Sequence, residues 1–455
     1  MYDAAQRSGL ANELADAMLA GPWSADEVAE SGAGCLNRWP SWMSALALRV
    51  IAVYRARPTD RPRDLAGVIE AFLAERPAEA GESEPPEIIR LLPPRPAFTL
   101  APSLPALRWP TAGIDSVAGL AQRLELSSGQ LAWLADVRSL ERTVTQPKLR
   151  NYRYRSVPRR SGLPRVIELP KARLKEIQRW VLHEILDHVP PHDAAHGFTL
   201  GRSVVSHAVL HTGQNAVLRF DLADFFASIA AARIYGIFRT VGYAPAVAHV
   251  LTGVSTNTVP LAVWRDIPSV ADPRLVQPHF WLGRQLATPH LPQGAPTSPA
   301  LANLAAFRLD RRLTGLATSV GLRYSRYADD LTFSGPTRLP FRRFEESVAE
   351  IVREEGFSLN RRKSALLSAG GRQSVCGIVV NVRPNVVRAE YDRLKAILHN
   401  AARRGPQGQN RSDLSDLEAH LRGRIAWVAQ LNPDRGEKLR RRFAEIDWAD
   451  SREDA

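Results

Sequence analysis

The stretch "YSRYADDLTFS", Tyr324 to Ser334, sets four large apolar or aromatic residues around two adjacent acids. Tyr324, Tyr327, Leu331 and Phe333 are the material of a buried β-hairpin. Asp329 and Asp330 fall in its middle. A pair of aspartates by itself is an ordinary polar turn. Here a tight turn would project Asp329 towards a neighbouring strand while the apolar flanks hold it rigid, so the identity of that neighbour decides the reading.

The neighbour is "AVLRFDLADFFASI" upstream, in which Ala216 to Phe220 reads as a strand ending at Asp221 and leading to Phe225 and Phe226. Two distant segments thus offer three carboxylates that strands can bring together. Clustered carboxylates raise one another's pKa unless a cation neutralises them. Hard oxygen ligands suit Mg²⁺, which binds through one or two carboxylates plus substrate phosphates. Two such ions about 3.5–4 Å apart would stabilise the attacking and leaving oxygens of an in-line phosphoryl displacement.

Between the acidic segments lies "LPQGAPTSPALANLAAFRLDRRLTGLA". Gly294, Pro296 and Pro299 predict a rigid loop, with Ser298 as N-cap and Pro299 in the first turn of a helix. Leu301, Leu304, Ala305, Leu309, Leu313 and Leu316 then form one apolar face. A loop of this kind suits a nucleotide or template base packed against backbone. Downstream, "EEGFSLNRRKSALL" turns at Gly356 and Asn360 and places Lys363 where it could protonate a leaving pyrophosphate or hold phosphate charge. "SVCGIVVNV" reads as a β-branched strand pair.

The chain has 455 residues, 45% hydrophobic and 24% charged, with a net charge of +13. That is more than one domain's worth of chain, and its positive balance favours a polyanionic partner. Two cysteines, Cys35 and Cys376, are too few for a disulfide framework or a zinc site. With no bilayer-length apolar run and no secretory pattern at the start, a cytoplasmic protein with no membrane partner is expected. Residues 1–82 read as a helical extension and 83–115 as a proline-rich linker. Ser116 to Val137 reads as a helical hairpin, residues 216–384 alternate strand and helix, and 385–455 are helical again.

"FDLADFFASI", "LPQGAPTSPALANL", "YADDLTFS", "GFSLNRRKS" and "VCGIVVN", in that order, resemble the successive palm motifs of reverse transcriptases, most closely those of bacterial retrons. The resemblance implies an α+β right hand: N-terminal helices and fingers over 116–215, an antiparallel palm over 216–384, and a thumb over 385–455. It implies that Asp221, Asp329 and Asp330 are the catalytic acids and, with the carbonyl of Leu222, the ligands of two Mg²⁺ ions. Phe226 would be a steric gate against ribose, Gln293 would lie near the incoming sugar, and Tyr327 would lie against the primer end. Arg165, and Lys171 as a second candidate, would clamp the triphosphate of a dNTP.

The same resemblance implies partners: a structured noncoding RNA (msr-msd), its cDNA product (msDNA, branched from a 2′-hydroxyl), and an effector protein in antiphage defence. Thumb arginines Arg403, Arg404, Arg422, Arg424, Arg440 and Arg441 would grip an RNA stem-loop. The "SHAVLH" stretch matches an Asn-Ala-x-x-His element associated with RNA handling, with His207 in place of the asparagine and His211 kept. Where the family usually has Val-Thr-Gly, this chain has Val375-Cys376-Gly377. Alternatives are a group II intron-like or abortive-infection lineage, or an RNA-binding scaffold that restrains an effector.

Overall fold

The computed structural model of the chain describes residues 4–20, 23–55, 62–76, 86, 109–159, 162–268, 270–336, 341–411 and 414–448. Most of the expected proline-rich linker, residues 87–108, lies outside these, as do residues 449–455 of the expected thumb. The chain divides into two units, one of residues 1–192, 222–311 and 346–359, the other of 193–221, 312–345 and 360–455.

The first unit begins with four helices, α1 (Ala4–Ala20), α2 (Ala25–Ala33), α3 (Met43–Val53) and α4 (Pro62–Glu75). Their apolar residues recur at three- and four-residue spacing: Leu10, Leu14 and Met18; Met43, Leu46 and Val50; Leu65, Ile69 and Leu73. All bury into one shared core. Ser116 and Ser127 then cap two short helices, Val117–Arg123 and Ser128–Leu134, as the helical hairpin requires. Strands β1 (Tyr152–Pro158) and β2 (Pro164–Pro170) pair antiparallel. Their register puts Tyr152, Tyr154, Val166 and Glu168 on the inward face and Arg153, Arg155 and Arg165 on the exposed one.

The loop after Leu291 differs from expectation in its capping. Thr297, not Ser298, is the N-cap of helix Ser298–Ala305, because the Ser298 hydroxyl instead donates to the Pro292 carbonyl at 2.7 Å. A second helix starts at Phe307, so the single apolar face is interrupted at Ala306. Leu301, Leu309 and Leu313 are buried, whereas Leu304 and Leu316 are only half-buried.

In the second unit, β3 (Ala216–Asp221), β4 (Arg323–Tyr327), β5 (Asp330–Gly335) and β6 (Ala365–Ser368) form an antiparallel sheet in the order β4-β5-β3-β6. Side chains alternate faces along each strand. Phe220, Leu331 and Phe333 lie on one face, where Phe344 meets the Phe333 ring edge-on at 5.0 Å. Val217, Arg219, Asp221, Asp330, Thr332 and Ser334 share the other, with Ser325 and Tyr327 of β4 in register. A short hairpin, β7 (Ser374–Val375) and β8 (Ile378–Val379), follows. Helices Arg388–Arg404, Leu417–Leu431 and Pro433–Ala444 close the chain around Leu394, Leu398, Leu421, Ile425 and Leu439.

Because Tyr327 pairs with Asp330, the connection between β4 and β5 has only two residues, Ala328 and Asp329. Ala328 takes φ 55°, a region where a side chain costs about 1–2 kcal/mol. Neighbouring groups hold it there. Arg326, fully buried, donates from Nη1 to the Ala328 carbonyl at 3.0 Å. Gly197 approaches so closely that a Cβ on it would lie 2.7 Å from the Ala328 nitrogen. Gly197→Ala is therefore expected to lower stability by about 1–3 kcal/mol through overpacking against fixed backbone, measured by denaturant unfolding. An unchanged midpoint would contradict this packing.

Candidate active site

Asp221 ends β3, and Asp330 begins β5 directly opposite it. Facing residues of an antiparallel pair project to the same side, so the two carboxylates share a face, with Asp329 in the adjoining turn. Burial pushes the pKa of Asp329 up, and the charges of Asp221 and Asp330 push it further. Asp330 is also raised, by burial first, against the opposing pull of Arg219 and with the added push of Asp221. Lys363 reaches back from a 3₁₀ turn (Arg361–Lys363) and donates to Asp221 Oδ2 at 2.7 Å. The Cys376 thiol lies 3.6 Å from Asp330 Oδ2. Cys376 and Gly377 both have positive φ and form the two-residue turn between β7 and β8, which aims that thiol.

Among the described residues, no three His, Cys, Asp or Glu side chains form a ready metal cage. What the acids offer is crowded negative charge, partly offset by Lys363 and Arg219. That donor set fits a hard cation completing its shell with phosphate and water. The Leu222 carbonyl lies next along the chain. The antiparallel bridge there uses the Asp221 carbonyl, bonded to Asn360 N at 2.7 Å, and Ala223 N, bonded to Ser358 O at 2.8 Å. Leu222's own carbonyl is not part of that pairing.

His207 and His211 require correction. Both rings are fully buried and cannot touch RNA. They bond instead to the hydroxyl row on the polar face of the sheet. Ser325 Oγ lies 2.7 Å from His207 Nδ1 and 2.8 Å from His211 Nε2, so one hydroxyl joins both rings. His211 Nδ1 meets Ser334 Oγ at 2.7 Å, and His207 Nε2 meets Thr332 Oγ1 at 3.3 Å. The Tyr327 ring sits 5.9 Å from His207. Burial, reinforced by neighbouring cations and rings, depresses the pKa to about 2 for His207 and about 3 for His211. Two neutral imidazoles thus brace the strand that leads into Asp329.

The remaining expected nucleotide residues lie in the first unit. Arg165 is exposed on β2. Lys171 is the second correction: its ammonium donates to the Pro147 and Lys148 carbonyls at 2.9 and 2.8 Å, so it closes a turn and is not poised as a clamp. Phe226 is half-buried, 5.6 Å from the Phe225 ring. Gln293 is half-buried with its carbonyl accepting from Glu168 N at 2.9 Å. Gly294, at φ 133°, permits the close approach, since a Cβ there would lie 2.8 Å from the Glu168 carbonyl oxygen. Pro296 follows, half-buried. The Glu168 side chain binds His290 at 3.0 Å and Asn257 at 2.7 Å. Burial opposes a proton on His290, but Glu168 outweighs it and holds that pKa up.

Of the C-terminal arginines, Arg403, Arg404, Arg422, Arg440 and Arg441 are exposed and Arg424 half-buried. Arg440 and Arg441 flank Glu437, while Arg422 lies 5.7 Å over the Phe443 ring.

Arg219 and Ser325 support the acids in the second unit, and Glu168 and His290 hold the Gln293 loop in the first; none of the four was singled out in the sequence. Period-two alternation places Arg219 on the face of Asp221 and was the available signal. Nothing in the sequence couples Glu168 to His290, 122 residues away.

Ser325→Ala would orphan His207 Nδ1 and His211 Nε2 together. It is expected to cost about 1–3 kcal/mol per buried group in unfolding experiments. The depressed histidines add a pH signature. The unfolded chain takes up protons below about 6.5 that the folded rings refuse, so their stabilisation is complete above that pH and falls as pH drops towards about 3. A His207→Gln/His211→Gln double variant should show a shallower acid loss; identical pH profiles would contradict the neutral pair.

A model of the family described as reverse transcriptase (RNA-dependent DNA polymerase) matches residues 157–395. The retron Mx65 reverse transcriptase of Myxococcus xanthus is 40% identical over 65% of this chain and 65% of its own length. Retron Mx162 reverse transcriptase of the same organism is 33% identical, covering 73% of this chain and 67% of that protein. Retron Ec86 reverse transcriptase of Escherichia coli is 32% identical, covering 60% and 74%. The chain thus spans just under two thirds of the Mx65 protein. It belongs to the reverse transcriptase (RNA-dependent DNA polymerase) family, as one of its retron-type members.

Proposed function

We propose that this chain is a Mg²⁺-dependent polymerase that copies a structured noncoding RNA, the msr-msd transcript of a retron, into DNA joined to that RNA as msDNA. In this reading the β3–β6 sheet is the palm, the β1–β2 hairpin belongs to the fingers, and the C-terminal helices are the thumb. The observation that carries it is the in-register pairing of Asp221 with Asp330, with Asp329 in the turn between. Kinship with the retron Mx65, Mx162 and Ec86 enzymes supports RNA as template. Antiphage defence alongside an effector protein in the cytoplasm completes the proposal; no helix among the described residues is long and apolar enough to cross a membrane.

The three aspartates and the Leu222 carbonyl would hold two Mg²⁺ ions, which when bound would polarise the transferring phosphoryl group and activate the primer hydroxyl. The chain's own groups do the positioning. Buried histidines keep the Asp329 turn in place, and Lys363 balances charge on Asp221 and is within the same cluster to meet the leaving phosphate. Arg165 would meet the triphosphate of the dNTP, Gln293 would lie beside its sugar, and the Phe226 ring would exclude a 2′-hydroxyl. Tyr327 would support the primer terminus.

Primer extension on an RNA template tests the reading. Asp329→Asn is expected to lose about 100-fold or more in dNTP incorporation, the scale for removing one transition-state-stabilising group. Phe226→Val is expected to keep dNTP use and gain ribonucleotide use. Equal synthesis by Asp329→Asn and the parent chain would reject the site.

A further inference from the structure

Helix Leu417–Leu431 carries a glycine near its centre, Gly423. Glycine is the poorest helix former after proline. Crowding does not demand it, because a Cβ there would meet nothing within 4 Å, and its φ is not among the positive ones. The space beside it is a groove of about 450 Å³ between this helix and helix Arg388–Arg404, within the range of small-ligand pockets, about 300–1,000 Å³.

The lining has an order. Ala419, Gly423 and Trp427 recur every four residues and so form one row along the helix. The two small residues leave the indole of Trp427 open beside a slot; that side chain is 37% exposed, while Leu421, Ile425 and Val428 of the same helix bury. His420 and Arg424 form the adjacent row, and Glu390 faces them from the opposite helix. Leu394 and Val428 supply an apolar floor.

We propose that this groove seats one unpaired base of the bound RNA, stacked on Trp427. The inference rests on the reading of the chain as an RNA-templated polymerase and adds to it a base-reading site remote in sequence from the catalytic acids. Aromatic faces take any base, and stacking is the common way in which unpaired RNA bases are held. Arg424 is placed for the adjoining phosphate. Glu390 can accept a hydrogen bond from an exocyclic amino group, which favours adenine, cytosine or guanine over uracil. Residues 385–448 carry thirteen Lys and Arg against nine Asp and Glu, a balance that favours a polyanion over an acidic or apolar protein segment as occupant of neighbouring surface.

The test uses the full chain and fluorescent RNA hairpins that share a stem and differ in a four-base loop of one base each, with a blunt duplex of the same stem as control. Trp427→Ala is expected to weaken loop binding by about 5- to 150-fold, the range for losing one stacked base. Gly423→Ala is expected to raise the melting temperature by removing a poor helix former, yet weaken the same loops by filling the slot. Glu390→Gln should narrow the preference for A, C or G loops over U loops. Melting data separate misfolding from loss of the site. If the parent chain neither binds these hairpins nor extends an oligonucleotide primer on RNA, the functional reading fails and the groove falls with it. If the parent chain does both, but Trp427→Ala and Gly423→Ala bind the loops as tightly as it does, the groove inference is overturned, whatever protein those variants capture or lose.

Discussion

Mutual repulsion of carboxylates at the end of one strand pair is the constraint around which the second unit is built. Asp221 and Asp330 face each other across β3 and β5, with Asp329 in the turn beside them. Burial and like charge raise the pKa of Asp329 and Asp330. A folded chain that confines charge in this way gives up stability. It tolerates the cost because the apolar face of the sheet, Phe220, Leu331, Phe333 and Phe344, is well packed, and because Lys363 and Arg219 offset part of the charge.

The polar face depends on another economy. Ser325, Thr332 and Ser334 form a row that would be costly to bury unpaired. His207 and His211 supply the partners without adding charge, because both rings stay neutral. This makes the "SHAVLH" helix a support for the Asp329 turn. In the first unit, Glu168 with His290 and Asn257 holds the Gln293 loop to β2 in a comparable way. Gln293 is thus anchored through its backbone carbonyl, which accepts from Glu168 N.

Much of this was legible in the sequence. The strand at Ala216–Phe220 and the hairpin around Asp329 and Asp330 are readable from their apolar residues, and the order of motifs points to the family. Acids between apolar flanks imply a tight turn; its length of two residues comes from the Tyr327–Asp330 pairing. What escaped was whatever depends on contacts across long stretches of chain. A histidine in an exposed-looking helix is polar in sequence whether it meets RNA or a buried serine, and only the sheet 114 residues on decides which. The family resemblance offers Lys171 as a clamp, but its ammonium satisfies two carbonyls of a turn 23 and 24 residues earlier. Ser298 was read as a cap by residue type, yet its hydroxyl found the Pro292 carbonyl first.

The most direct measurement is the melting temperature of the metal-free chain from pH 4 to pH 8, for the parent and for Asp329→Asn, repeated with Mg²⁺. Carboxylates with raised pKa keep their protons in the folded state at low pH and lose stabilisation as pH rises through their folded values. The account predicts that the parent loses more stability than the asparagine variant over that rise, and that Mg²⁺ restores the parent and not the variant. Superimposable curves for the two proteins, with Mg²⁺ and without it, would contradict a charge-crowded, cation-seeking site.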